Sequence, residues 1–158
     1  MSFVHRLCCV TSARSRKAWE TLLEQWKRSW AMRSQGRFNA ADRFTPARKP
    51  RPHFFALPRE IYGRLTQCRL GHAFIGEYYA RFVPSESIDC PCGYPIQTRE
   101  HILWNCPLYE NQRQPLQEFT RDHNTSDLLG TDEGLKVLAT FLDNTSAFKK
   151  VARLPAEL

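Results

Sequence analysis

Residues 89–107 read DCPCGYPIQTREHILWNCP, and the placement of cysteine and histidine in that stretch decides how the rest of the chain is organised. Cys90 and Cys92 flank one proline, eight residues separate Cys92 from His101, and four separate His101 from Cys106. A thiolate pair on a tight turn is the usual first half of a zinc knuckle, and Gly93 supplies the backbone freedom the chain needs to fold back beneath a metal. Thr98 is placed to cap a helix carrying His101, Glu100 suits the positive end of that helix, and Pro107 interrupts the helical path directly after Cys106. Cys90, Cys92, His101 and Cys106 therefore make a closed Cys3His set for one structural Zn2+, with no open position for a reacting water. A competing reading is three buried thiols beside an ordinary histidine, because zinc sites commonly leave about two to four residues between the first cysteines. Asp89, Pro91, Pro95 and Gln97 make this a polar turn, which weighs against burying unpaired thiols there. His72 competes for the fourth ligand position, but it lies near a predicted helix joint, where an imidazole more commonly bonds a backbone carbonyl.

Working outward, helical periodicity dominates. Leu57, Ile61, Leu65 and Cys68 form one stripe, with Pro58 suited to a first helical turn. After Gly71 a second stripe follows, Phe74, Ile75, Tyr78, Tyr79 and Phe82, and the two helices are expected to pack as a hairpin that ends at Pro84. Cys68 is then a small buried residue of the hairpin and not a ligand. Downstream, Leu108, Leu116 and Phe119 predict a short or kinked helix around Pro115. Thr131 caps a last helix with Asp132 and Glu133 in its first turn and Leu135, Leu138, Phe141 and Leu142 on its buried face. Upstream, Trp19, Leu22, Leu23, Trp26 and Trp30 predict an amphipathic helix over about residues 15–33, with Glu24 and Arg28 as an i,i+4 pair. Its tryptophan stripe reads first as core and second as a partner surface. The fold class is mainly α, a small helical domain with an embedded Cys3His zinc knuckle and at most a short strand pair at the knuckle. The expected organisation is a basic segment and tryptophan helix over 1–35, a basic proline-containing linker over 36–56, the zinc-knuckle domain over 57–150 and a tail over 151–158.

The 158 residues and 42% hydrophobic content suit one domain with a core, flanked by tails. The net charge of +7 is unevenly spread: residues 1–70 hold 15 Lys/Arg against 4 Asp/Glu, and residues 71–158 hold 8 against 12. That split puts a positive field on one half of the chain and favours a polyanion partner, although a solvated basic tail has the same composition. No apolar run approaches the roughly 18 residues a membrane span needs. His5 and Arg6 interrupt the apolar opening before it reaches the core of a secretion signal, and the early arginines leave a mitochondrial presequence as a minor alternative. The expectation is therefore a chain of the nucleus or cytoplasm, whose six cysteines serve metal binding and packing and not a disulfide scaffold.

The ordered succession Leu57-Pro58-Arg59-Glu60, RLTQCRLGHAFIGEYY from Arg64 to Tyr79, CPCG, QTREHIL, CPLYE and LLGT at Leu128 to Thr131 resembles one family. It is similar to the tail that follows the RNase H domain in reverse transcriptase polyproteins of fungal non-LTR (LINE-type) retrotransposons. The resemblance runs from about Trp19 to Lys150. It implies that Cys90, Cys92, His101 and Cys106 are the zinc ligands and that the chain handles nucleic acid beside the element's reverse transcriptase. The enzymatic activities of such a polyprotein do not carry over. A polymerase needs a carboxylate pair for two metals and RNase H needs several gathered carboxylates, yet this sequence has no Asp-Asp pair.

Three functions follow. In the first, a zinc-stabilised tail binds RNA or DNA, with Arg43, Arg48, Lys49 and Arg51 on phosphates and His53, Phe54 and Phe55 stacked on unpaired bases. The competing reading of these residues is solvated arginines and core phenylalanines. In the second, zinc only holds the fold and the tryptophan helix docks on a protein such as the polymerase region. The third, a Cys–His hydrolase built on Cys106 and His101, is weakest, since a metal-bound thiolate is a blunted nucleophile. The expectation is no catalytic residue, no small-molecule substrate and no membrane partner.

Overall fold

The computed structural model describes the backbone of residues 3–32, residues 47 and 49, and residues 56–150, with side chains from residue 13 onward. The chain divides into two compact units, one containing the first helix and the other containing residues 56–150.

In the first unit, α1 spans Phe3–Met32, longer than the stretch its tryptophan periodicity marks. Much of the stripe expected to be core is exposed, Trp19 being 55%, Leu22 56% and Trp26 52% accessible, while Leu23 and Trp30 are half-buried. A helix buries its apolar stripe only against a second layer, and among the described residues α1 is the one element of its unit. Glu24 pairs with Lys27 at 2.9 Å, one residue earlier than the expected Arg28, which contributes only at longer range.

In the second unit, α2 (Arg59–Leu70) buries Ile61, Leu65 and Cys68 as the periodicity requires, and Gly71 ends it in the left-handed region at φ 71, the conformation a glycine C-cap adopts without strain. α3 (Gly76–Phe82) follows, but α2 and α3 do not form the expected hairpin. α2 packs instead on the long helix near the C-terminal end of the unit, α6 (Asp132–Asp143), which also supports α4 (Gln114–Phe119) and α5 (Thr125–Gly130). The reason is local: α3 has seven residues, and Gly76 at its start is pressed against the Ile88 carbonyl, which commits α3 to the metal segment. Its aromatic stripe stays partly open, with Phe82 exposed and in ring contact with His72 and Tyr78.

The core lies around α6. Leu135, Leu138, Phe141 and Leu142 of that helix are essentially inaccessible, as are Leu65 of α2, Leu116 of α4, and Leu128 and Leu129 of α5, the helices packed on it. Each fully buried side chain of this kind contributes about 1.5–3 kcal/mol of transfer free energy. Thr131 caps α6 as predicted, its Oγ1 accepting the Gly134 N–H at 3.0 Å. Pro115 sits in the first turn of α4, so the expected short helix results. Arg64, buried on α2, ties down the segment after α6 by donating to the Thr145 and Ala147 carbonyls at 2.9 and 3.1 Å.

Candidate metal centre

Three local devices bring the four sequence-predicted ligands together. The first is the turn at Cys90-Pro91-Cys92-Gly93, where the Gly93 N–H donates to Cys90 O at 2.8 Å and Gly93 takes φ 92. The Cys90 N–H then donates to Tyr94 O at 2.9 Å and the Gln97 N–H to Ile88 O at 2.8 Å. These are isolated bonds and not a ladder, and no strand occurs among the described residues, so the strand pair expected at the knuckle is absent. Pro91 has no N–H to give a ladder, and Gly93 breaks the extended path.

The second device is a cap: Thr98 Oγ1 accepts the His101 N–H at 3.0 Å, as the sequence predicts. The third is a π-type turn over His101–Asn105, closed by the Cys106 N–H donating to His101 O at 2.6 Å. In a regular α-helix residues five apart stand about 140° apart around the axis. The wider i→i+5 turn draws them toward one side, which is how His101 and Cys106 come to face the same point. Pro107 then starts a 3-10 turn, Pro107–Gln112, that leads the chain away.

The resulting donor atoms, three Sγ and one imidazole nitrogen, all lie within 4.8 Å of one another. Cys90 Sγ and Cys106 Sγ stand 3.7 Å apart. Neighbouring sulfurs on a tetrahedral ion with Zn–S bonds of about 2.3 Å stand about 3.8 Å apart, so this edge already fits. Cys92 Sγ and His101 Nε2 stand 3.2 Å apart, a thiol–imidazole hydrogen bond that must open by a few tenths of an ångström to admit an ion. The residues fit one four-coordinate metal ion. Cys90, His101 and Cys106 are buried and Cys92 is half-buried, so the centre has one accessible edge.

Second-layer groups hold this arrangement. Tyr94 stacks on the His101 ring at 4.4 Å and 10°, and Gln97 Nε2 approaches Cys90 Sγ at 3.9 Å. Arg113 is 4% exposed and donates from Nε to Leu103 O at 2.8 Å and from Nη2 to Cys106 O at 2.5 Å. On the other flank Arg99 bridges Glu77 of α3 at 3.0 Å and the Cys68 carbonyl of α2 at 3.2 Å, fastening the metal segment to both helices. Burial pushes the Cys106 thiol up to about 12. Burial first, and the Arg113 guanidinium second, lower the His101 imidazole below its ordinary value, keeping it neutral as a ligand must be. Sequence reasoning did not single out Tyr94 or Arg113: Arg113 lies in a polar QRQP stretch with no motif around it.

The other sequence candidates fall elsewhere. Cys68 is fully buried on α2, where burial pushes its thiol to about 12, and it is not part of the cluster. His72 is exposed and stacks edge-on against Tyr78 at 5.5 Å, away from the fourth ligand position. Lys49 is exposed. Arg43, Arg48, Arg51, His53, Phe54 and Phe55, and with them most of the 36–56 linker and the 151–158 tail, lie outside the described residues. No helix is long and apolar enough to cross a membrane among the described residues.

No protein-family model matches the chain. No solved structure matches it either. The chain is similar to the retrovirus-related Pol polyprotein from type-1 retrotransposable element R1 of Popillia japonica, with 30% identity over 105 residues, 64% of this chain and 38% of that polyprotein. The likeness supports a non-LTR retrotransposon origin. The chain covers well under half the length of this relative.

Proposed function

We propose that this chain is a non-catalytic, zinc-stabilised module from the C-terminal part of a retrotransposon reverse transcriptase polyprotein, placed after its RNase H domain and working on nucleic acid in the nucleus or cytoplasm. The observation that carries this is the convergence of Cys90, Cys92, His101 and Cys106 in a chain similar to an R1 Pol polyprotein. Three thiolates and an imidazole suit Zn2+, and four protein ligands leave no position for a reacting water, so the ion would lock the turn, the His101 helix and Cys106 together. The fungal lineage rests on the sequence resemblance, while the relative reported above comes from Popillia japonica.

Nucleic-acid contact is assigned to Arg43, Arg48, Lys49, Arg51, Phe54 and Phe55, the basic and aromatic part of the positively charged half. Zinc stoichiometry on the purified chain, with thermal melts in the presence and absence of a chelator for the wild type and Cys92→Ser, tests the metal. One zinc per chain, lost together with the cooperative melt in Cys92→Ser, is the expected result; no zinc and an unchanged melt refute it. For nucleic acid, replacing Arg48, Lys49 and Arg51 by alanine should weaken binding to single-stranded RNA and flatten the salt slope by about 3 phosphate contacts. An unchanged slope removes these residues from the interface.

The second reading, a module that docks on a protein such as the polymerase region, is favoured by one observation, the exposure of Trp19, Leu22 and Trp26 on α1. Iodide quenching of tryptophan fluorescence checks it, with buried Trp104 as the protected reference. Indoles that stay quenchable when the polymerase region is added count against docking through α1.

A further inference from the structure

Arg113 is a buried guanidinium without an acidic partner. It is 4% exposed, and its hydrogen bonds run to two backbone carbonyls, Leu103 O and Cys106 O, the second belonging to a metal-ligand residue. Among the described residues no carboxylate forms an ion pair with it. Glu110, whose charge also reaches it, is exposed to solvent. The other buried arginine among the described residues, Arg64, has Glu60 at 3.6 Å, so among them the missing carboxylate is particular to Arg113. A cation taken out of water needs a compensating negative charge nearby, because carbonyl dipoles alone do not replace its hydration. Apart from solvent-exposed Glu110, the anionic chemistry that the described residues set beside Arg113 is the thiol cluster that contains Cys106. A divalent ion bound by three thiolates and a neutral imidazole carries one net negative charge, equal and opposite to the guanidinium.

We propose that Arg113 is the counter-charge of the metal–thiolate centre: it neutralises that single negative charge and, through Leu103 O and Cys106 O, holds the π-type turn that presents His101 and Cys106 to the ion. Arg113 is thus a positioning residue and touches no metal. The proposal rests on the metal reading above and adds to it. It explains why a charged side chain is buried on a stretch with no apolar periodicity. It also predicts that the charge of Arg113, and not only its hydrogen bonds, sets how tightly the thiolates hold the ion and how weakly they react with electrophiles.

Arg113→Gln keeps a hydrogen-bond donor and removes the charge; Arg113→Lys keeps the charge and removes the planar fork. Each is made in the full chain, titrated with Co2+ while the thiolate-to-cobalt absorption is followed, then with Zn2+ against a chromogenic chelator. Alkylation of the zinc-loaded proteins by iodoacetamide is timed in parallel. The expected result is a loss of affinity of about 10–100-fold and faster alkylation for Arg113→Gln, the usual scale for groups behind a ligand, with Arg113→Lys within a few-fold of wild type. Equal affinity of Arg113→Gln and wild type overturns the proposal, as does Arg113→Lys falling as far as Arg113→Gln, which would make the fork the whole effect. If Arg113→Gln does not fold even with metal, Arg113→Lys decides alone: tight binding upholds the charge, weak binding overturns it. A wild-type chain that takes up neither ion fails the underlying metal reading, an outcome distinct from wild-type binding with indifferent variants.

Discussion

Gly76→Ala tests how the metal segment is fastened to the helices. A Cβ built on Gly76 stands 1.9 Å from the Ile88 carbonyl oxygen, 2.7 Å from its carbon and 2.9 Å from Ile88 Cα. These are backbone atoms, so no side-chain rotation relieves the overlap. The Ile88 carbonyl accepts the Gln97 N–H at 2.8 Å inside the metal segment, and the Gln97 carbonyl accepts the Glu77 N–H of α3 at 2.9 Å, so displacing Ile88 strains the first bond directly and the second through Gln97. Overpacking costs about 1–3 kcal/mol and each weakened hydrogen bond about 1 kcal/mol more. The gain of alanine over glycine in a helix returns less than about 1 kcal/mol. The net loss is about 2–4 kcal/mol, which for a unit of this size lowers Tm by roughly 10–30 °C. Gly63→Ala is the control, since nothing lies within 4 Å of a Cβ built there in the middle of α2. It should be neutral or stabilising by less than about 1 kcal/mol. Thermal unfolding followed by far-UV circular dichroism, with zinc present, compares the two. Equal Tm values for Gly76→Ala and Gly63→Ala would refute the argument, because they would mean that α3 and the metal segment do not approach as described.

The remaining predictions concern the core, a cap and the metal. Phe141→Ala removes an aromatic ring that is 1% exposed in the last turn of α6 and should destabilise by about 3–5 kcal/mol in a denaturant melt. Asn124→Ala removes the side-chain oxygen that accepts the Ser126 and Asp127 N–H groups at 3.0 and 3.3 Å and should cost about 1 kcal/mol in the same assay. Acidification should destabilise the metal-free chain through His101. Its folded-state value lies below the unfolded one, so the unfolded state binds the proton first, and this stabilisation, complete above about pH 6.5, is lost as pH falls through the lowered value. Stability that is flat across that window, measured by urea melts at several pH values with chelator present, would contradict the burial of the ring. Zinc uptake should release protons, because burial holds the Cys106 thiol protonated at neutral pH, and titration in two buffers of different ionisation enthalpy measures the number released.

The parts of the molecule legible in the sequence are those where one local rule decides. The Cys3His cluster that could hold a metal followed from spacing, the turn at Gly93 from the backbone freedom it needs, and the caps at Thr98 and Thr131 from side chains that satisfy the first free N–H groups. The helix that covers Leu65 was not legible. Period alone shows that Ile61, Leu65 and Cys68 share a face, but not whether the neighbour in sequence or a helix 60 residues later covers it. What decided was the Gly76 contact with Ile88, a close approach between segments that leaves no mark on hydrophobic pattern. The π-type turn was equally hidden, since five-residue spacing between His101 and Cys106 looks unfavourable on an α-helix. The tryptophan stripe misled because periodicity reports an apolar face and not what covers it.

The distribution of charge constrains where the proposed nucleic-acid contact can arise. Residues 71–158 carry 8 Lys/Arg against 12 Asp/Glu, so this half repels a polyanion on balance. Several cations of the unit over residues 56–150 are also committed internally: Arg64 to the Thr145 and Ala147 carbonyls, Arg99 to Glu77, Arg113 to Leu103 O and Cys106 O, and Lys149 to Glu60 at 2.9 Å. Lys150 stands 5.9 Å over the Phe74 ring. Releasing any of these to a phosphate would sacrifice a contact that holds the unit together. On the proposed reading the attraction must come from the Lys/Arg of residues 1–70 other than Arg64, and the metal centre would act indirectly, by keeping its own unit folded. The two roles then separate in experiment. Alanine at Arg48, Lys49 and Arg51 should lower RNA affinity with no change in zinc content or melting, whereas Lys149→Ala should lower Tm slightly and leave the salt slope of RNA binding untouched. A salt slope that falls with Lys149→Ala and ignores the Arg48, Lys49 and Arg51 replacements would move the interface onto the unit that carries the metal cluster and reverse this division.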